Sequence, residues 1–149
     1  MERLNPPYIP AFCRTDLSSD IDSLLSVKES QSSEFRLGSF QKYKLGDIGV
    51  CSVVAAELAF GVAKSGSPRN RQALNMFLAP LTILPFDTAA VWAYGDLRAD
   101  LERRGTPIGS LDTMIAAHAL SQQALLVTNS THEFAKVPGL QLDNWATAT

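Results

Sequence analysis

Cysteine and histidine are scarce in this sequence. The 149 residues contain two of each, and Cys13 and Cys51 form no Cys-x-x-Cys pair and have no histidine at metal-ligand spacing. Zinc sites and dithiol redox centres need such clusters, so neither is predicted. We expect both thiols to be reduced.

Long hydrophobic runs are also lacking. The longest stretch that is poor in charge, residues 48–63, is interrupted by Glu57 and is too short and too polar to cross a bilayer. The first residues, MERLNPPYIPAF, include two adjacent prolines and no apolar core of signal-peptide length. We therefore expect no membrane segment and a cytoplasmic location.

Net charge is small, and phosphate-binding glycine loops are missing. A formal charge of −2 argues against a protein that coats nucleic acid by bulk electrostatics, so any RNA contact must be local. No glycine-rich loop of Walker or dinucleotide type occurs in the sequence. A small-molecule phosphate-binding α/β domain is therefore the weaker alternative.

The composition, with 46% hydrophobic and 19% charged residues, is that of one globular domain. Residues 1–45 differ from the rest because they are rich in serine and proline and have no clear hydrophobic period. We predict an irregular N-terminal segment over residues 1–45 and a folded domain over 46–149. The best candidate for an opening strand is YIPAFC at residues 8–13, although Pro10 weakens it because proline cannot donate to a strand ladder.

From residue 46 onward, strand-like and helix-like segments alternate, which predicts an α/β fold with a mostly parallel central sheet. Ser67, Asp87 and Ser110 are predicted to cap helices at their N-termini. Alternating charges between residues 96 and 104 predict a solvated helix face with i,i+4 ion pairs. The predicted strands are residues 48–53, 81–86, 124–128 and 140–145, and the predicted helices are 53–64, 69–79, the stretch between Asp87 and Gly105, and 111–123.

Two carboxylates stand out by their surroundings. Glu57 is the only charged residue between Asp47 and Lys64, so it is either the exposed position of an amphipathic helix or a metal ligand. Asp112 falls at a predicted helix start, where the helix dipole stabilises a carboxylate, and also beside a glycine-containing turn. In open α/β sheets, ligands bind at the rim beyond the carboxyl ends of the strands.

A third polar position follows the strand at residues 124–128. Asn129 and Ser130 come directly after it, either as an ordinary turn or as part of the same rim. Carboxylates that are brought together at neutral pH share a proton or bind a divalent cation. All-oxygen ligands suit magnesium or manganese, and such an ion can activate water for phosphodiester hydrolysis.

Several strings carry a family resemblance, among them SVVAAELAFGVAKS, RRGTPIGSLDTMIAAHAL and LLVTNSTHEFAKVPGL. In order and spacing, the region from about Cys51 to Trp145 resembles the VapC-type PIN-domain toxins of toxin–antitoxin systems. The resemblance implies a PIN-like α/β/α sandwich with a mostly parallel central sheet. It also implies a Mg²⁺- or Mn²⁺-dependent endoribonuclease that cleaves RNA in the prokaryotic cytoplasm, forms a homodimer and is held inactive by an antitoxin protein.

The same resemblance assigns roles to particular residues. Glu57 and Asp112 match two of the three or four acidic residues that bind the metal ion and activate water. Ser130 falls where relatives have aspartate or asparagine, so the fourth position, next to Asn129, would hold a neutral ligand.

The first acidic residue of the family can be placed in two registers. Relatives have a strand that ends in Asp-Thr-Asn or Asp-Thr-Asp. If residues 12–19 match this motif, Arg14 takes the place of its leading aspartate and Asp16 matches its third residue. We take Asp16 as the candidate third ligand, and Asp20 and Asp22 supply the other register. An arginine among the ligands would neutralise charge meant for the metal.

Two alternatives follow from this mismatch. The chain could be a catalytically inactive PIN-like domain that retains antitoxin binding or dimerisation. The segment before Phe40 could also reflect compensating frameshifts in the gene.

Elsewhere, His118 and His132 have no acid or nucleophile at recognisable spacing and are interpreted as structural. Trp92 is interpreted as a packing residue.

Overall fold

The computed structural model describes residues 8–10, 49–128 and 130–144. Within these ranges, no helix is long and apolar enough to cross a membrane. The predictions that concern Arg14, Asp16, Asp20, Asp22 and Asn129 fall outside the described residues.

All strand pairings in the described residues are parallel. In one sheet, β4 (Leu125–Val127) lies between β1 (Tyr8–Pro10) and β5 (Leu142–Asp143). In the other, β2 (Gly49–Cys51) pairs with β3 (Thr82–Leu84). Since β1 also lies close to β2, the two sheets adjoin and the described strands follow the order β3-β2-β1-β4-β5. The predicted parallel α/β architecture is confirmed.

β1 supplies the opening strand that the sequence made hard to find. It forms within the predicted segment 8–13, and Ile9 is aligned with Leu126 of β4. Pro10 occupies the last position of β1, opposite Val127. Because proline has no N–H group to donate, the end of a short strand is where it disturbs a ladder least.

Helix α1 (Ser52–Ser65) begins directly after β2. Its buried residues Val54, Leu58 and Val62 recur every four positions and so form one apolar stripe facing the core. The helix ends at Gly66, which has a φ of 63°. Glycine adopts this left-handed conformation without the steric cost that other residues incur.

Helix α2 (Pro68–Leu78) starts as predicted. Ser67 is its N-cap, and the Ser67 hydroxyl accepts a hydrogen bond of 3.3 Å from the backbone N–H of Asn70. Pro68 takes the first helical position, where a missing N–H costs nothing.

Replacing Ser67 by alanine should lower the free energy of unfolding by about 1 kcal/mol, because the Asn70 N–H loses its acceptor. Urea unfolding followed by circular dichroism would measure this change. Ser67→Asp should retain most of the stability, since aspartate also caps helices. An unchanged midpoint for Ser67→Ala would show that solvent replaces the cap at no cost.

Helix α3 (Thr88–Arg103) is capped by Asp87, whose carboxylate accepts from the Ala90 N–H at 3.1 Å, as predicted. Its solvated side carries the expected ion pairs, Arg98 with Glu102 at 3.0 Å and Arg104 with Asp100 at 2.9 Å. Because water screens exposed charges, such pairs contribute little to the stability of the fold.

The packing role expected of Trp92 is wrong, because its side chain is 71% exposed. The buried residues of α3 are Ala90, Leu97 and Leu101. At about 100° per residue, Trp92 lies on the opposite side of the helix from this stripe.

Helix α4 (Ser110–Ser121) corrects one predicted cap. Gly109 is the N-cap and Ser110 is already helical, because the Thr113 N–H and hydroxyl both donate to the Gly109 carbonyl at 2.8 Å. Among the described residues, no side chain caps this helix. The central part of α4 is buried on most sides, as expected for a helix inside a layered fold. Its buried residues are Thr113, Ile115, Ala116, Ala117, His118 and Ala119.

The short helix α5 (Thr131–Phe134) follows β4 and lies against α4 and β5. Its last residue, Phe134, is completely buried in the hydrophobic core. The hydrophobic core contains residues of both strands and helices. Its largest fully buried apolar side chains are Phe134, Leu58, Leu101, Ile115 and Leu126.

Candidate active site

The carboxyl ends of β2 and β3 are joined by a hydrogen bond. Ser52, the first residue of α1, accepts a bond of 3.0 Å from the Phe86 N–H through its hydroxyl. Phe86 comes shortly after β3, and the two strands are parallel, so both ends lie at one edge of the sheet. In α/β proteins this is the edge where ligands bind.

Glu57 lies in the second turn of α1, close to this edge. Its neighbours Val54 and Leu58 are buried, and Glu57 itself is half-buried at the border of the apolar stripe. No hydrogen bond or ion pair joins its carboxylate to the rest of the described chain. A carboxylate that is half removed from water without a cationic neighbour is suited to bind a cation.

Asp112 lies in the first turn of α4 and is half-buried. The positive end of the helix dipole stabilises its negative charge there. Asp112 Oδ2 lies 3.5 Å from the position that a Cβ at Gly109 would take. A larger residue at 109 would therefore contact the carboxylate directly.

Helices α1 and α4 pack against each other, so the fold brings the helices that carry Glu57 and Asp112 together. Between residues 49 and 144, Asn129 excepted, no three His, Cys, Asp or Glu side chains form a group that could hold a metal ion. The two carboxylates supply hard oxygen ligands, which suit Mg²⁺ or Mn²⁺. A full ligand set would need a further group, and the candidate Asp16 lies outside the described residues.

Ser130 follows the carboxyl end of β4, as the sequence predicts. It is half-buried, takes the N-cap position of α5 and donates its backbone N–H to the Thr128 hydroxyl at 3.1 Å. Thr128 is buried directly after β4. Sequence analysis overlooked Ser52 and Thr128, and the available signal was a hydroxyl residue immediately after a predicted strand.

His118 is a buried residue of α4 that ties this helix to the β3–α3 connection. Its Nε2 lies 3.1 Å from the Pro85 carbonyl, and its ring stacks on Phe86 with centroids 6.1 Å apart. A carbonyl can only accept, so Nε2 carries the proton. Nδ1 is buried without a partner in the described part of the chain. These contacts agree with the predicted structural role.

Burial lowers the pKa of His118, although the Pro85 carbonyl and the charge of Asp87 act in the opposite direction. Just below the ordinary histidine pKa of about 6.5, His118 is therefore protonated in the unfolded chain but remains neutral in the folded chain. We expect the free energy of unfolding to fall with decreasing pH below this value, by up to about 1.4 kcal/mol per pH unit from this group.

Urea unfolding of the wild type and of His118→Gln between about pH 7.5 and 5 would measure this dependence. Glutamine can still donate to Pro85 but does not titrate, so the variant should lose part of the slope. His132→Gln is the control, because His132 is exposed. Equal slopes for the wild type and His118→Gln would contradict the prediction.

A PIN domain family model matches residues 27–140, which is well over half of the chain. The chain belongs to the PIN-domain family. Ribonuclease VapC2 of Rickettsia felis is 43% identical over 103 residues, which make up 68% of this chain and 77% of that protein. The tRNA(fMet)-specific endonuclease VapC of Salmonella typhimurium is 38% identical over 108 residues, 70% of this chain and 82% of that protein.

Comparison with solved structures extends the likeness to most of the chain. VapBC2 of Rickettsia felis bound to a promoter DNA fragment matches with a TM-score of 0.75 and 35% identity, covering 93% of this chain and 98% of that one. DNA-bound VapBC of Salmonella typhimurium matches with a TM-score of 0.73 and 30% identity over the same shares. Within the PIN-domain family, the chain is of the VapC type.

Proposed function

We propose that this PIN-domain protein is a metal-dependent endoribonuclease, the toxin of a toxin–antitoxin pair in the prokaryotic cytoplasm. The observation that carries the proposal is the pair of half-buried carboxylates, Glu57 and Asp112, on two packed helices of a VapC-type chain. Relatives that are named ribonuclease and tRNA endonuclease support the substrate class.

In this proposal, Glu57 and Asp112 hold Mg²⁺ or Mn²⁺, and Asp16 is the third ligand. When bound, the ion would activate water and stabilise charge on the phosphoryl oxygen. The buried stripe of α1 and the packed helix α4 hold the backbone positions from which the two carboxylates extend. Ser130, next to Asn129, takes the place of the family's fourth ligand. Its neutral hydroxyl should bind a cation more weakly than a carboxylate would.

An antitoxin protein and a second copy of this chain are the proposed partners. Structural neighbours that are described as VapBC complexes support the first partner. One related system is described as a member of a toxin–antitoxin family. Homodimerisation rests on the resemblance to VapC-type toxins.

The alternative is an inactive PIN-like domain that keeps antitoxin binding or dimerisation. It is favoured by Arg14, which takes the place of the family's leading aspartate if the register with Asp16 as third residue applies. A guanidinium group among the ligands would offset the negative charge that attracts the cation.

An RNA cleavage assay separates the two functions. The purified protein is incubated with initiator tRNA, or with an unrelated structured RNA, in the presence of Mn²⁺ with and without EDTA. Cleavage that EDTA abolishes is the expected result. Cleavage that resists EDTA would reject the metal-dependent mechanism, and no cleavage of either RNA would favour the inactive domain.

The same assay identifies the third ligand. Asp16→Ala should abolish cleavage if Asp16 is the third ligand. Full activity of Asp16→Ala, with loss of activity in Asp20→Ala or Asp22→Ala, would transfer the role to the second register.

A further inference from the structure

An aromatic and a basic side chain follow Glu57 along the exposed side of α1. Phe60 is 57% exposed, and Lys64, in the last turn of the helix, is also exposed. At about 100° per residue, Glu57, Phe60 and Lys64 project within about 60° of one another, and the helix rise places Lys64 about 10 Å beyond Glu57. Val53 shares this direction one turn before Glu57 but is half-buried. We call Glu57, Phe60 and Lys64 the α1 strip.

Two arginines extend the positive charge of Lys64 at the start of α2. Arg69 and Arg71 are both exposed and lie near the N-terminus of that helix. The junction of the two helices is held together by the Ser65 hydroxyl, which accepts a hydrogen bond of 3.2 Å from the Asn70 side chain. The end of α1 and the start of α2 therefore form one corner. We define this α1–α2 corner by Lys64, Arg69 and Arg71.

The described chain does not neutralise the charges of the α1–α2 corner. None of its three cationic side chains has a hydrogen bond or an ion pair in the part of the chain that the structure describes. Glu57 is the only acidic residue between positions 49 and 78. On α3, by contrast, Arg98 and Arg104 pair with carboxylates of their own helix. Unpaired cations close to a candidate metal site suit the phosphate groups of a nucleic acid.

The two arginines of the corner stand at the less favourable end of their helix. The helix dipole is positive at the N-terminus, so it opposes cations there, and the first turn of α2 contains no acidic residue to offset them. Helix stability therefore does not account for Arg69 and Arg71. Residues that conflict with local stability are expected at functional sites, and an anionic partner would account for both.

We propose that the substrate RNA lies along α1, from the metal site at Glu57 across Phe60 to the α1–α2 corner. This inference rests on the proposed endoribonuclease and specifies how that enzyme holds its substrate. A base stacks on the Phe60 ring, and the cations of the corner contact backbone phosphates a few nucleotides from the cleaved bond. Aromatic stacking combined with cationic contacts to the backbone is a general way to bind single-stranded nucleic acid.

The contribution of Phe60 is tested by RNA binding. The full chain is titrated into a fluorescently labelled single-stranded RNA at low salt, with EDTA present so that no cleavage occurs, and anisotropy gives the dissociation constant. Phe60→Leu should raise this constant at least about fivefold, because leucine keeps an apolar surface but cannot stack on a base. Phe60→Tyr should bind like the wild type. Trp92→Ala is the matched control, since Trp92 is an exposed aromatic residue on α3, which packs mainly against α4.

The contribution of the corner is tested by the salt dependence of the same binding. Lys64→Gln should reduce the slope of log Kd against log salt concentration by about 0.7, the change expected when a single strand loses one phosphate contact. Combining Arg69→Gln with Arg71→Gln should reduce it by about that amount for each arginine that contacts a phosphate. Arg104→Gln is the control, because Arg104 pairs with Asp100. Since the helix dipole opposes both arginines of the corner, removing them should not lower the melting temperature, which separates weaker binding from unfolding.

Each result has a distinct meaning. A wild-type chain that binds no RNA would overturn both the proposed endoribonuclease and this surface. RNA binding that tolerates all the substitutions in the strip and the corner would overturn the surface alone and leave Phe60 open to a protein partner. If only the cation variants weaken binding, the path across Phe60 is wrong. RNA cleavage is measured separately, so a chain that binds RNA through the strip and the corner but does not cleave it supports this inference and rejects the proposed activity.

Discussion

Glu57→Gln and Asp112→Asn are each expected to lower Mn²⁺-dependent RNA cleavage by about a hundredfold or more. The substitutions preserve size and shape but remove the charge that binds the cation. Loss of an outer-shell partner of a metal ligand already costs about 10- to 100-fold, so loss of a direct ligand should cost at least the upper value. Initial cleavage rates at saturating RNA measure the effect.

The controls use carboxylates that already have cationic partners. Glu102→Gln and Asp100→Asn on α3 remove charges that pair with Arg98 and Arg104. Both variants should cleave RNA at the wild-type rate. An active Glu57→Gln protein would show that Glu57 is only a polar residue at the border of an amphipathic helix and binds no metal.

Metal binding gives a readout that does not depend on cleavage. A cation that binds only the folded protein raises its melting temperature, by an amount set by the ratio of its concentration to the dissociation constant. Mn²⁺ should therefore stabilise the wild type but have little effect on Glu57→Gln or Asp112→Asn. If Mn²⁺ stabilises all three equally, the ion binds elsewhere.

Local side-chain chemistry made much of the fold predictable. Ser67 and Asp87 cap their helices because each has a hydroxyl or carboxylate directly before an apolar helical period. Ser110 has the same pattern, but the prediction that it caps α4 was wrong because it is already the first helical residue. The backbone N–H and the hydroxyl of Thr113 both donate to the Gly109 carbonyl, so the helix begins one residue earlier than predicted. The preference of residue types for the N-cap position does not predict this pair of hydrogen bonds.

The error at Trp92 has a different origin. Residue type suggested a packing role, whereas the helical period of Ala90, Leu97 and Leu101 already placed Trp92 on the opposite side. The period was the stronger signal, because the side of a helix that faces the core is set by the whole segment.

The candidate site was only partly predictable. The apolar surroundings of Glu57 and the helix start at Asp112 marked both residues in the sequence. Their arrangement on packed helices depends on long-range contact between α1 and α4, which no local pattern specifies. The resemblance to VapC-type toxins related the two residues, and the structure packs their two helices together.

Phe134→Ala is expected to lower the free energy of unfolding by about 3–5 kcal/mol. Phe134 is fully buried, and its helix α5 has four residues, too few to be stable without tertiary packing. The helix therefore depends on packing by this side chain, and loss of the phenyl ring should also loosen the segment that contains Ser130. A domain of this size typically has about 5–15 kcal/mol of stability, so the loss would be a large share of the total.

Urea unfolding monitored by circular dichroism measures the change, and Glu133→Ala is the matched control on the same helix. Glu133 pairs with Lys136 at 3.1 Å near the surface, so its removal should change the free energy of unfolding far less. If Phe134→Ala does not fold, Phe134→Leu removes less apolar surface and keeps the effect measurable. A Phe134→Ala protein as stable as the Glu133→Ala control would show that α5 is anchored by other contacts.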